Sequence, residues 1–362
     1  MHRIIGLRYL WIAKKGLTQK MGGKIIRQTD RHRVTGVDEL KALCCFLVVC
    51  IHAKTSLTIG KYIVGLARIA VPLFLMITGY FYHCSSREKK RQQLIHISKL
   101  FVYGQAIYLA FELFLSCIIP SRDFWGYFTW KNLVLFLFVN EPHPDSAHLW
   151  YLLALIYVLC ISYYCDNYIS VNAKSVFCSV MIACSIILGT YSKAIIGKAL
   201  PELLIRNFLF IGFPYFFLGE VFYEKRLKFE KLMQKSIVIK AVGISIVLCS
   251  LLEIYIVSRL WPEVDGTVYI TTPLLAVFVF AAFIFKKGKS KILLKIGRDY
   301  STVVYIVHLM VYLFQGMVFK RLGAYNISMI WAPVICFLNS LLLAVVCDWI
   351  KNTHKAINDS RS

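Results

Sequence analysis

The chain has 362 residues, 58% of them hydrophobic and 17% charged, with a mean hydropathy of +0.64. A composition this apolar excludes the disordered, collagen-like and ordinary water-soluble classes. Its 42 Lys and Arg against 19 Asp and Glu leave a formal net charge of +23, but these cations lie between apolar runs of about twenty residues and accompany no RRM, zinc-finger or helix-turn-helix pattern. They read as topology signals, and no nucleic-acid partner is expected.

Residues 1–35 form a basic arm, Arg3 to Arg33, mixed with Ile4, Ile5, Leu7, Tyr9, Leu10, Trp11 and Ile12. It suits an amphipathic helix on anionic headgroups, or a leader upstream of a working start at Met21. It lacks a short apolar core with a small-residue cleavage site, so a removable secretory signal is not expected. Span-length windows then place helices at roughly 39–57, 62–83, 95–119, 147–165, 175–192, 202–222, 236–258, 267–285, 300–319 and 329–350, about ten in all. The stretch Tyr127 to Val139 is apolar and aromatic, but about thirteen residues are too few for a crossing, so an interfacial or re-entrant helix is expected there.

Charge bias agrees. If that stretch does not cross, the arm, Arg87 to Arg91, Lys225 to Lys235, Lys286 to Arg298 and the tail with Lys351 and Lys355 all fall on one side. The positive-inside rule makes that side the cytoplasm. The expectation is an all-α polytopic membrane protein of the cell membrane. A single bundle of about ten transmembrane helices fills 36–350, and the arm (1–35) and tail (351–362) are both cytoplasmic. Most of the 12 cysteines (Cys44, Cys45, Cys50, Cys160, Cys178, Cys184, Cys249, Cys336 and Cys347 among them) lie in apolar runs and read as small buried hydrophobes. With no C-x-x-C pair and no Cys/His set at ligand spacing, no metal is expected.

The most informative segment is Asp38-Glu-Leu-Lys41 through His52, inside the first span. Ionisable residues within a span are costly and usually face a protein interior, a partner or a wet cavity. Lys41 and His52 are eleven residues apart, which puts them on nearly one helix face with roughly 16 Å of axial separation. Asp38 can pair with Lys41. A cation at the inner mouth with an imidazole deeper on the same stripe suits an anionic donor entering from the cytoplasm, its reactive end reaching His52. A neutral ring bonded to a backbone carbonyl is the alternative.

Four blocks carry a resemblance: Asp38 to His52; Arg68-Ile-Ala-Val-Pro72-Leu-Phe through Thr78-Gly79-Tyr80; His148-Leu-Trp150-Tyr151; and Ser301-Thr-Val-Val-Tyr305-Ile-Val-His308. In this order they resemble the acyltransferase-3 family of integral membrane O-acyltransferases, over almost everything from Arg33 onward. The V-P-L-F and H-L-W-Y blocks are most similar to a subgroup that includes sugar O-acetylases. The resemblance implies about ten helices and transfer of an acyl group, usually acetyl from cytoplasmic acetyl-CoA, to hydroxyls of sugars or surface glycans. The acyl donor is thus the one cofactor-like molecule implied.

The family's first-helix signature is an Arg, then ten residues, then a His that is regarded as catalytic. Here His52 takes the His position and Lys41 the Arg position, offering a point charge to phosphate without the bidentate fork. Lys89, Lys90 and Arg91, with Asp38 and Lys41, are the expected donor-binding residues. Arg68, His148, Trp150 and His308 are the expected acceptor-side residues. The family's Ser-Leu-x-x-Glu run is replaced by Tyr151-Leu152-Leu153-Ala154-Leu155, and no appended extracellular hydrolase-like domain is expected. Pro72 is expected to kink the second span near Arg68 and open a cavity. Glu202 and Arg206 read as a structural i, i+4 pair; Glu112, Glu220 and Glu253 have no assigned partner. No nucleophile elbow, Walker loop or dinucleotide fingerprint occurs where it would count. The competing readings are a transporter or flippase of a glycan precursor or small solute, and a non-catalytic membrane scaffold.

Overall fold

In lipid, backbone N–H and C=O groups must be satisfied within the chain, which favours helices throughout. The computed structural model describes residues 34–359, apart from 120, 143, 166–168, 235, 263 and 265. The basic arm expected to lie on the membrane surface therefore falls outside the described residues. Those described form helices and no strand: α1 (Thr35–His52), α2 (Gly60–Ala67), α3 (Ala70–His83), α4 (Arg87–Ile118), α5 (Trp130–Val134), α6 (Trp150–Cys165), α7 (Val171–Leu188), α8 (Ser192–Ile196), α9 (Phe213–Glu224), α10 (Arg226–Met233), α11 (Ser236–Leu260), α12 (Thr271–Ile284), α13 (Lys291–Lys295), α14 (Ser301–Arg321), α15 (Tyr325–Ile330) and α16 (Ala332–Asp359).

Among the described residues, seven stretches are long and apolar enough to cross a membrane: Gly60–His83, Arg87–Ile118, Asp145–Cys165, Val171–Leu188, Ile237–Leu260, Lys291–Arg321 and Ala332–His354. The remaining three of the ten expected positions hold α1, the 14-residue α12, and α9 preceded by a π turn at Phe208–Gly212. The protein is an all-α polytopic membrane protein. Apolar side chains such as Ile237, Leu248, Leu342 and Trp349 are exposed on α11 and α16, as faces turned toward hydrocarbon require.

Three elements depart from the expectation in detail. The span at 62–83 is two helices, not one kinked helix, and the break falls at Arg68 and Ile69, where the kink was expected. Proline in the first turn of α3 loses no helical hydrogen bond, because N–H groups there have no intrahelical acceptor. The cations Lys89, Lys90 and Arg91 are not in a loop but in the opening turns of α4, where the Ser86 side chain caps the helix by accepting from the Lys89 N–H. At the other end, α16 continues to Asp359 through residues expected to form a tail. The stretch from Tyr127 to Val139 forms α5 and a π turn at Leu135–Val139. Its ten helical residues rise about 15 Å, half a hydrocarbon core. Trp125 just before it and Trp130 at the start of α5 are 74% and 78% exposed.

The centre of the bundle is the crossing of α3 and α9. An added Cβ on Gly79 would collide with the backbone oxygen of Phe216, and one on Gly219 with that of Met76, so the two backbones touch where side chains are absent. Around this crossing Leu73, Leu75, Met76, Tyr215 and Phe216 are fully buried.

The carboxylates without assigned partners acquire them in the tertiary structure. Glu220 pairs with Lys174 at 2.6 Å, both buried. Glu253 caps α12, accepting from the N–H of Ile270 (2.6 Å) and Thr271 (2.9 Å) and from the Tyr191 hydroxyl (2.5 Å). Glu112 shares Arg122 with Asp145. Partial burial works against charge on that guanidinium, but the hydrogen bonds and charges of Asp145 and Glu112 outweigh it and hold its pKa above the usual value. Glu39 accepts from the N–H of Lys289 (2.7 Å) and Ser290 (2.8 Å), fastening the start of α1 to the turn before α13.

Candidate active site

His52 is the last residue of α1, where the Ala53 N–H still bonds to the Val49 carbonyl at 2.8 Å. Its ring lines a cavity of about 50 Å³ walled by α1, the α2–α3 break, the start of α6, the segment before α9 and the start of α12. That volume holds a water or two. The polar groups around it are His52, Arg68, His148, Trp150, Arg206, Thr267, Thr272 and Tyr305. Three of the four sequence-predicted acceptor-side residues, Arg68, His148 and Trp150, thus line the cavity with His52, and the break in the second span supplies one of its walls.

His308 stands behind this wall. Its ring centroid is 5.2 Å from that of His52 and 4.7 Å from that of His148, while His52 and His148 are 6.0 Å apart. Both flanking rings are buried, 0% exposed for His308 and 2% for His148. Nδ1 of His308 lies 2.7 Å from the Tyr305 carbonyl and 3.2 Å from that of Val304; Nε2 of His148 lies 3.2 Å from the Ile306 carbonyl. A carbonyl oxygen only accepts, so those nitrogens carry the protons, and Nε2 of His308 and Nδ1 of His148 carry lone pairs. The Tyr305 hydroxyl donates to the His148 carbonyl at 2.5 Å, which ties α14 to the turn carrying His148, and the Tyr108 hydroxyl to that of Ile306 at 2.8 Å, which ties α4 to α14.

Arg206, read from sequence as part of a structural pair, lines the same cavity. Glu202 bridges the two arginines: Oε1 accepts from Arg68 at 3.0 Å and Oε2 from Arg206 at 3.2 Å. The i, i+4 spacing gives the Glu202–Arg206 bond, but the convergence on Arg68 joins residues 134 apart in the chain. The π turn at Phe208–Gly212, which follows Arg206 directly, puts Ile211 on the cavity wall. Arg206, Thr267, Thr272 and Tyr305 had no sequence signal of their own beyond Tyr305 falling within the fourth block.

The expected donor-binding residues stand elsewhere. Lys41 lies three turns from His52 along α1, about 16 Å. The face between them is filled by the buried Cys45 and Val48, with the Cys45 thiol donating to the Ser301 carbonyl at 3.3 Å. Asp38 is buried in the first turn, where its backbone carbonyl packs so closely on Gly297 that a Cβ there would collide with it. Lys89, Lys90 and Arg91 are on α4, with the Lys90 ammonium 4.4 Å from the Tyr82 ring centroid. Alternation of the helices puts them at the Lys41 end of the bundle. All twelve cysteines are free thiols, and no group of three or more potential metal ligands occurs among the described residues.

One curated relative, an amino-acid racemase of Enterococcus faecalis, is 26% identical over 139 residues. That stretch covers 35% of this chain and 18% of the racemase, so the chain spans under a fifth of that relative's length. No solved structure matches. The family described as acyltransferase domain, of the acyltransferase-3 type, matches residues 34–349, and with that extent of match the chain belongs to this family of acyltransferases.

Proposed function

We propose that the protein is an O-acyltransferase moving an acyl group, acetyl in the first instance, from cytoplasmic acyl-CoA to a hydroxyl of a sugar or cell-surface glycan. The observation that supports this reading is the gathering of His52, Arg68, His148 and Trp150 around one cavity in a chain of an acyltransferase family. His52 takes the proton of the acceptor hydroxyl as its oxygen attacks the thioester carbonyl, and returns it to the departing thiolate sulfur. The same ring can instead carry the acyl group as an acyl-imidazole. Arg68 and Arg206 present guanidinium N–H groups to the acceptor's oxygens, and Trp150 gives the cavity an aromatic wall.

Positive charge toward the Lys41 end supports a cytoplasmic side there, and cytoplasmic termini, in a cell-membrane protein. Lys41, with Asp38, Lys89, Lys90 and Arg91, then holds the donor's phosphates.

Purified protein given labelled acetyl-CoA and envelope glycan is expected to release CoA and form a base-labile ester, and His52→Ala is expected to abolish both. Proton transfer alone contributes about 100- to 10,000-fold. Undiminished transfer by His52→Ala would remove the reading, as would solute flux in vesicles without any donor and with no ester formed.

A further inference from the structure

We infer that Tyr108 is a positioning residue for the acceptor side of the site. Its hydroxyl, set into one turn of α14, directs the Ile306 carbonyl to the His148 ring and so fixes that ring, and its tautomer, beside His52. The inference rests on the reading of this cavity as the place of acyl transfer.

Tyr108 lies on α4 and is 1% exposed. Its hydroxyl donates to the Ile306 carbonyl at 2.8 Å and accepts from the Met310 N–H at 3.1 Å. Those two backbone groups are an i, i+4 pair, the acceptor and donor that close a turn of α-helix with each other. A side chain that bonds to both stands in the hydrogen-bond ladder of α14, where such an insertion bends a helix. An undisturbed helix aims its carbonyls along its own axis, so this one would face Met310. Instead the Ile306 carbonyl also takes the Nε2 proton of His148 at 3.2 Å. Donors from α4 and from the turn before α6 converge on one carbonyl of α14, which has two lone pairs to meet them.

The rest of the α4 face holds the backbone of that turn. Gln105, Tyr108 and Glu112 follow one another by three and four residues and so share one side of the helix. Gln105 Oε1 accepts from the Ser146 hydroxyl at 3.3 Å, and Glu112 shares Arg122 with Asp145. Ser146 and Asp145 belong to the turn Pro144–Leu149 that carries His148. None of these bonds reaches the imidazole. Among the described residues the Ile306 carbonyl is the one hydrogen-bond partner of the His148 ring, whose Nδ1 has none. The Tyr108 ring packs edge-on against the same imidazole, centroids 5.1 Å apart. Tyr108 therefore governs both the packing of a ring that lines the cavity and the acceptor that decides which of its nitrogens carries the proton.

Solid-state NMR of the full-length protein in liposomes, with isotope-labelled histidine, reads the tautomer directly; the His148 signals are those missing from His148→Gln. The wild type is expected to show a protonated Nε2 and a bare Nδ1. Tyr108→Phe keeps the ring and loses the hydroxyl. It is expected to populate both tautomers, and its kcat/KM for the acceptor should fall about three- to tenfold with the donor KM unchanged. A protonated Nδ1 in the wild type overturns the inference whether or not the variant folds. An unchanged tautomer in Tyr108→Phe overturns it too, even if the melting temperature drops, because a merely structural role predicts that result. Unchanged acceptor kinetics in the variant likewise overturn it. A wild type that transfers no acyl group, with the tautomer still shifted in Tyr108→Phe, overturns the proposed function and supports the link from Tyr108 through Ile306 to His148.

Discussion

The His52 and His308 rings meet at 5.2 Å because α1 and α14 run parallel in matched register. The Cys45 thiol donates to the Ser301 carbonyl, and each histidine lies seven residues, two helical turns, beyond its member of that contact. The close approach of the π turn Ile296–Tyr300 to α1, where Gly297 meets the Asp38 carbonyl, sets the height at which α14 begins. A change that moved α14 by one residue would rotate His308 by about 100° away from His52.

Lys41 offers an ammonium where the family's signature has a guanidinium. Lys41→Arg is expected to lower the KM for acyl-CoA about three- to tenfold by supplying a bidentate partner for phosphate, and Lys41→Ala to raise it by a similar factor, both with kcat little changed. Initial rates against donor concentration check this.

Arg206 is tied to Arg68 through Glu202. Arg206→Ala is expected to raise the acceptor KM about tenfold while leaving the donor KM alone, the size set by losing a hydrogen bond to a charged group. Acceptor and donor titrations, each at saturation of the other, separate this from a general loss of fold.

Lys174 and Glu220 form a buried pair between α7 and α9. Lys174→Met leaves an uncompensated carboxylate and is expected to destabilise by about 3–5 kcal/mol, whereas Lys174→Met with Glu220→Leu together should be close to neutral. Thermal unfolding in detergent reads both.

At the α3–α9 crossing, Gly79→Val drives a side chain into the Phe216 backbone. An expected loss of about 1–3 kcal/mol or more from overpacking should appear as a lower melting temperature and poorer monodispersity. Gly316, with nothing within 4 Å of its added Cβ, provides the control, since Gly316→Ala should be neutral or slightly stabilising.

Much of the architecture is legible in the residues taken in order. Apolar length finds the helices because lipid leaves the backbone no other partner, and the Tyr127 to Val139 stretch shows itself too short to cross. Eleven-residue spacing puts Lys41 and His52 on one face of a helix, and the Glu202–Arg206 pair follows from i, i+4 geometry. Each of these is a relation along one helix, where chain distance and spatial distance are tied by the rise per residue.

The site itself depends on relations between helices. The pairing of Arg206 with Arg68 through Glu202, the approach of His308 to His52, and the carbonyls that fix two imidazole tautomers all join segments far apart in the chain. So do the partners of Glu112, Glu220 and Glu253. Composition and periodicity determined that the chain is a helical membrane protein and which helix faces carry polar groups. Which of those faces meet, and at what register, was decided by the close contacts at Gly79, Gly219 and Gly297, because helix packing is set by where two surfaces fit and not by either surface alone.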